Sequence, residues 1–177
     1  MRIKRIKKIL YIALFAALIS VFSLIAIPFP IPLTLQIFGI FLALMLLGGA
    51  SGAASVTLYV ALGVIGLPVF AGFGSGFGYI LGASGGFIIA FPPASLIFLS
   101  LEAAFGKGER KGLVYSFIAM IFIYLSGALW FSYVYSGGSG FIAALTVCVI
   151  PYIIPDVIKI LLAFYLSKRI KKIISLY

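Results

Sequence analysis

Residues 9–27 read ILYIALFAALISVFSLIAI, a run without a single charge, directly after a start in which Arg2, Lys4, Arg5, Lys7 and Lys8 are all basic. About 20 consecutive apolar residues is the length that carries an α-helix across the hydrocarbon core of a bilayer. A basic flank marks the cytoplasmic end of such a helix. The same run resembles the apolar part of a secretory signal. It is longer than usual, lacks a clear Ala-x-Ala site and precedes a chain just as apolar, so it is expected to be a first, uncleaved span.

Outward from this run the pattern repeats. The 177 residues are 64% hydrophobic and 9% charged, whereas a soluble domain carries roughly 25% charged residues. So few charges cannot cover a water-facing surface, and the solvent for most of the chain must be lipid. Apolar runs predict helices over about 9–27, 35–47, 53–65, 86–101, 113–133 and 149–167. The expected fold is an all-α integral membrane protein: one domain over 1–177, six transmembrane helices, both termini cytoplasmic.

The connections carry their own signals. Pro28, Pro30 and Pro32 remove backbone donors and fix φ, so 28–34 is expected to be extended. Gly48-Gly49-Ala50-Ser51-Gly52 reads as a tight turn, and 66–86 is rich in glycine. The second and third helices are short for a full span. Irregular backbone at membrane depth is tolerated where protein buries it or where it lines a cavity. The segments 28–34 and 66–86 are therefore expected to fold back into the outer half of the bundle and line a cavity there.

Charge sets the orientation. Besides the N-terminal cluster, Lys107, Arg110 and Lys111 lie between the fourth and fifth helices, and Lys168, Arg169, Lys171 and Lys172 near the C-terminus. With six spans all three clusters fall on one side, the cytoplasmic one. The net charge of +10 is thus a topology signal. No cluster interleaves with aromatics as a single-stranded nucleic-acid groove would, so no nucleic-acid partner is expected.

Several chemistries are excluded. Histidine is absent and Cys148 is the lone cysteine, which leaves no Cys/His metal site and no disulfide framework; no cofactor is expected. Gly106-Lys107-Gly108 lacks the upstream glycine and the hydroxyl of a P-loop. Gly82-Ala83-Ser84-Gly85-Gly86 matches the nucleophile-elbow pattern, but a serine nucleophile needs a base that this chain does not supply.

Three features point to sites. Asp156 and Lys159 are the charges set well inside an apolar run, at i and i+3 on one helix face. With Pro155 in the first turn, Asp156 would lie near a helix N-terminus. A structural ion pair closing a helix end and a site for a polar, partly apolar ligand both fit, and intramembrane charges usually mark a substrate or ion path. Gly74, Gly78, Gly82 and Gly86 recur every fourth residue, with Phe70, Phe73, Phe77 and Tyr79 among them. On a helix they would form a ridge for close helix packing or for a flat ligand laid against bare backbone. Ala13 and Ala17, with Ala16 beside them, form a small-residue step that admits a neighbouring helix, internal or from a partner.

Three stretches carry a resemblance. They are Pro30-Ile31-Pro32-Leu33-Thr34-Leu35-Gln36, Gly63-Val64-Ile65-Gly66-Leu67-Pro68-Val69-Phe70-Ala71-Gly72, and Pro151-Tyr152-Ile153-Ile154-Pro155-Asp156-Val157-Ile158-Lys159. In this order they resemble the BioY family, the biotin-specific substrate-binding (S) component of energy-coupling factor (ECF) transporters. The family usually has Pro-Thr where this chain has Ala83-Ser84, and Pro-Gly where it has Ile154-Pro155.

The resemblance implies an S-component-like bundle in the plasma membrane of a prokaryote that captures biotin from outside. A transmembrane coupling subunit and two ATPase subunits would complete the transporter. It implies biotin contacts at Asp156, Lys159, Gln36, Phe70, Tyr79, Gly74, Gly78 and Gly82, and a coupling-subunit face at Ala13, Ala16 and Ala17. An S component for another vitamin and a self-sufficient secondary transporter are the alternatives. The second usually needs an internal repeat or a relay of protonatable groups, and the sequence shows no obvious repeat and one buried acid.

Overall fold

The computed structural model describes residues 2–29, 31–138 and 140–174; Pro30 of the proline-rich stretch lies outside them, as do residues 1 and 175–177 of the expected domain. The elements are α1 (Arg2–Leu24), β1 (Ala26–Ile27), β2 (Leu33–Thr34), α2 (Gln36–Leu47), α3 (Gly49–Val64), a 3-10 turn (Ala71–Phe73), α4 (Gly76–Ile80), α5 (Gly85–Phe105), α6 (Glu109–Trp130), a π-helical turn (Phe131–Tyr135), α7 (Phe141–Cys148) and α8 (Ile150–Ile174).

Helix α2 is the axis of the bundle. Nine of its twelve residues are buried, from Gln36 to Met45, and it packs against α1, α3, α5, α6 and α8. A helix apolar on every side is stable only when surrounded in this way or by lipid. The outer helices reverse the pattern of a soluble protein. Leu10 and Leu14 on α1, Ile121 and Leu125 on α6, and Leu162 and Leu166 on α8 all point outward. Such an outer surface is stable against hydrocarbon.

Among the described residues, four helices are long and apolar enough to cross a membrane: Ile3–Leu24, Gly85–Phe105, Glu109–Tyr135 and Ile150–Ile173. Helices α2 and α3 are shorter apolar helices.

Several expectations need correction. Residues 49–52 are helical, and Gly48 alone (φ 81°) joins α2 to α3. Gly52 serves packing: a Cβ there would lie 2.6 Å from the Leu44 backbone, so its lack of a side chain lets α2 and α3 approach. The expected last helix over 149–167 is α8, which starts at Ile150 and runs on to Ile174; a separate short helix that was not expected, α7, precedes it across a break at Val149 (φ −122°, ψ −55°). Asp156 and Pro155 are consequently inside α8, beyond its first turn, and the helix dipole is not what holds the carboxylate.

The glycine ladder is not a ridge on one helix. Gly74 is extended, Gly78 sits in the five-residue α4, Gly82 in a turn and Gly86 in α5. Beside the stretch 28–34, expected to be an extended loop, backbone pairing appears: Ala26 opposes Thr34 and Ile27 opposes Leu33, making a two-strand hairpin. On α1, Ala13 and Ala17 are exposed while Ala16 is buried in the bundle, so Ala16 is no part of the outward face.

Candidate functional site

Four buried polar side chains, Thr34, Gln36, Asp156 and Lys159, gather where α2, α5, α6 and α8 meet the hairpin. Asp156 and Lys159, 4% and 7% exposed, stand one helical turn apart on α8. Lys159 Nζ donates to Asp156 Oδ1 at 2.7 Å. Tyr124 of α6 donates its hydroxyl to the other oxygen, Oδ2, at 2.8 Å. Both carboxylate oxygens therefore have partners, the condition for keeping a charge away from water. Among the described residues the ammonium has this one acceptor, and it carries further N–H donors.

A second polar group sits at the start of α2. Thr34 Oγ1 donates to Gln36 Oε1 at 2.8 Å and accepts from the Gln36 backbone N–H at 3.2 Å. Gln36 Nε2 donates to the hydroxyl of Tyr59 on α3. Because Thr34 and Gln36 flank the hairpin-to-helix joint, this network fixes where α2 begins.

Tyr152 of α8 ties the hairpin down. Its hydroxyl donates to the Ile31 carbonyl and accepts from the Ile31 N–H at 3.3 Å. Its ring meets Phe29 edge-on, with centroids 6.5 Å apart. Ile31 to Thr34 thereby roof a cleft whose floor holds Asp156, Lys159, Gln36 and Tyr124, with Phe87, Phe91 and Ile123 as apolar walls. The cleft encloses about 50 Å³, far less than the roughly 300–1,000 Å³ of a small-molecule pocket. In this structure the cleft is too small to hold a vitamin-sized ligand.

Of the residues singled out from the sequence, the cleft brings together Asp156, Lys159 and Gln36. Phe70, Tyr79, Gly74, Gly78 and Gly82 do not line it. Phe70 is fully buried, edge-on to Tyr59 (5.7 Å) and stacked on Tyr79 (5.3 Å). Its backbone N–H donates to the Gly74 carbonyl at 3.0 Å. These residues pin the 66–86 segment onto α3 beside the cleft, and Tyr59 is the link between the two.

Tyr124, Tyr152, Thr34 and Tyr59 were not anticipated. The usable signal was a tyrosine inside an apolar run, since a buried hydroxyl needs a partner. With 10 tyrosines in the chain, that signal alone does not choose among them.

Comparison with known proteins adds an independent line. A sequence model described as the BioY family matches residues 1–176. The chain is 40% identical over 166 residues to a protein of Pyrococcus horikoshii named "Probable biotin transporter BioY", covering 93% of this chain and 96% of that one. It is 32% identical over 169 residues to the "Biotin transporter BioY" of Thermotoga maritima, covering 94% and 97%. Among solved structures, a crystal structure described as the S-component for biotin from an ECF-type ABC transporter superposes with a TM-score of 0.85. That match has 29% identity and covers 97% of this chain and 94% of the other.

Proposed function

The chain belongs to the BioY family, and from that premise we propose that it is the biotin-binding S component of an ECF-type vitamin transporter. It is a multi-pass membrane protein of a transporter family, with four long apolar helices and two shorter ones among its described residues. In this reading α2 and α3 also cross, giving six passages with both termini and the Lys107–Lys111 stretch on the cytoplasmic side of the plasma membrane. The cleft then opens outward, beneath the hairpin.

The observation that carries the proposal is the buried Asp156–Lys159–Tyr124 cluster under a roof that Tyr152 holds through the Ile31 backbone. Biotin presents a ureido group with two N–H donors, an apolar bicycle and chain, and a terminal carboxylate. Asp156 accepts well and Lys159 donates, while Gln36 offers both functions; Phe87, Phe91 and Ile123 supply apolar walls. Breaking the Tyr152–Ile31 pair lifts the hairpin, and biotin refills the polar partners that the roof gives up. No side chain here breaks a covalent bond; work would come from a coupling subunit and two ATPases acting on the bundle from the cytoplasmic side.

Native mass spectrometry of the protein purified from biotin-fed cells tests this directly. A bound mass equal to biotin is expected. A different vitamin at the same stoichiometry would keep the S-component role and reassign the substrate.

The exposed Ala13 and Ala17 mark the helix face for the coupling subunit. Ala13→Leu or Ala17→Leu is expected to leave biotin binding by the isolated protein unchanged, because neither residue lines the cleft. Bulk on that face blocks close helix approach, so complex assembly and cellular uptake should fall. Normal uptake by both variants would remove α1 from the interface.

A further inference from the structure

At the end of the bundle away from the biotin cleft, two clefts of about 270 and 340 Å³ share Lys8, Leu47 and Ser51 and merge into one groove. Gln36 and Leu47, at the two ends of α2, separate groove from cleft by roughly 16 Å of helix. Lys4, Lys7, Lys8 and Tyr11 line the groove from α1. Their i, i+3, i+4, i+7 spacing puts them on one face. Lys107 closes the other side.

Among the described residues, the one carboxylate lining the groove is Glu102. Its Oε2 already accepts the Gly49 N–H at 2.8 Å. Four ammonium groups thus face one engaged carboxylate. The start of α3 adds to the same sign, since the Ala50 and Ser51 amides lie in its first turn, where no intrahelical acceptor exists.

The groove is also graded along the membrane axis. Below the lysines comes Tyr11, an amphipathic ring of the kind that sits at headgroup level. Leu14 and Leu18 follow at i+3 and i+7 from it, Leu14 being 52% exposed. Leu47 and Leu99 form apolar walls. Cations above, an aromatic at the boundary and open apolar surface below reproduce the order of phosphate, glycerol and acyl chain in a phospholipid. Basic pockets at the membrane surface recognise anionic headgroups by this chemistry.

We propose that this groove is a binding site for the phosphate headgroup of an anionic membrane phospholipid, whose acyl chains lie along α1 below Tyr11. The headgroup end is turned away from the Ala13–Ala17 face: Ala13 follows Lys4 by nine residues, about two and a half turns, and so points the opposite way, whereas Leu14 on the acyl-chain side lies within one turn of Ala17. The site is separate from the biotin cleft, so biotin binding serves as a check on folding.

The test reconstitutes the full chain in nanodiscs of equimolar phosphatidylglycerol and phosphatidylcholine. After detergent extraction, the lipid retained is counted by native mass spectrometry. The parent should retain phosphatidylglycerol selectively. A variant with Lys4, Lys7, Lys8 and Lys107 all changed to Ala should lose about tenfold or more of that retention. A control variant that removes the same charge elsewhere, with Lys168, Arg169, Lys171 and Lys172 changed to Ala, should keep it. Both should bind biotin like the parent.

The proposal is overturned if the parent retains the two lipids equally, or if the groove and control variants lose retention alike. It is also overturned if inorganic phosphate strips the retained lipid as completely from the parent as charge removal does, since the acyl chains would then contribute nothing. Loss of complex assembly in the groove variant with lipid retention intact would identify a protein partner's surface instead.

Discussion

Asp156→Asn should lower biotin affinity at least about tenfold, the equivalent of roughly 1.4 kcal/mol, and Lys159→Met should do the same. The structure gives the reason for each. Asp156 accepts from Lys159 and Tyr124 at 2.7 and 2.8 Å with both residues of the ion pair more than nine-tenths buried. Replacing the carboxylate leaves an ammonium without its anion, and breaking a buried pair on one side costs about 3–5 kcal/mol. A hydrogen bond from ligand to a charged acceptor contributes about 1.5–3 kcal/mol more. The lower of these figures already exceeds a tenfold change. A purely structural pair predicts something else: less folded protein, with the folded fraction binding as before. Titrating biotin against the monodisperse fraction of each variant separates the two. Unchanged affinity in both variants would make the pair structural and remove it from the site.

The pairing of Asp156 with Lys159 was legible because opposite charges at i and i+3 inside an apolar run meet on one helix face. Helix α2 was legible for a similar reason, as apolar continuity between a proline stretch and a glycine stretch fixes both its ends. Helix α7 was not. Its eight residues are as apolar as those that follow, so nothing in the pattern sets them apart as a helix of their own ahead of the break at Val149. Tyr124 was hidden by distance, being 32 residues from the carboxylate it serves. The glycines misled in a physical way. Spacing by four suggests a helix ridge, whereas Gly72 and Gly76 adopt positive φ (65° and 78°) and interrupt any helix between them. On α1 the i, i+4 step of Ala13 and Ala17 shares an exposed face, while Ala16, grouped with them, turns inward.

Gly63 shows what those glycines do for the site. It lies in the last turn of α3, and a Cβ there would come within 2.0 Å of Phe70 Cζ. Phe70 is fully buried between Tyr59 and Tyr79, so the ring has nowhere to move except out of its seat. Gly63→Ala should therefore destabilise the protein by about 1–3 kcal/mol, the usual cost of overpacking a filled site. Phe70→Ala should cost more, about 3–5 kcal/mol, through the loss of a buried aromatic and the cavity left behind. In the Phe70→Ala background the new methyl has room, and Gly63→Ala should become nearly neutral. Contacting residues are expected to show such non-additivity. Gly78→Ala is the control, because a Cβ there meets nothing within 4 Å in the same segment. The effect should reach the ligand as well. Tyr59 touches Phe70 on one side and receives the Gln36 amide on the other, so displacing Phe70 loosens the joint where α2 begins beneath the roof. Thermal denaturation midpoints in detergent and biotin titrations on all four variants would show this together. An equal cost for Gly63→Ala with and without Phe70 would break the link between the glycine, the aromatic stack and the cleft.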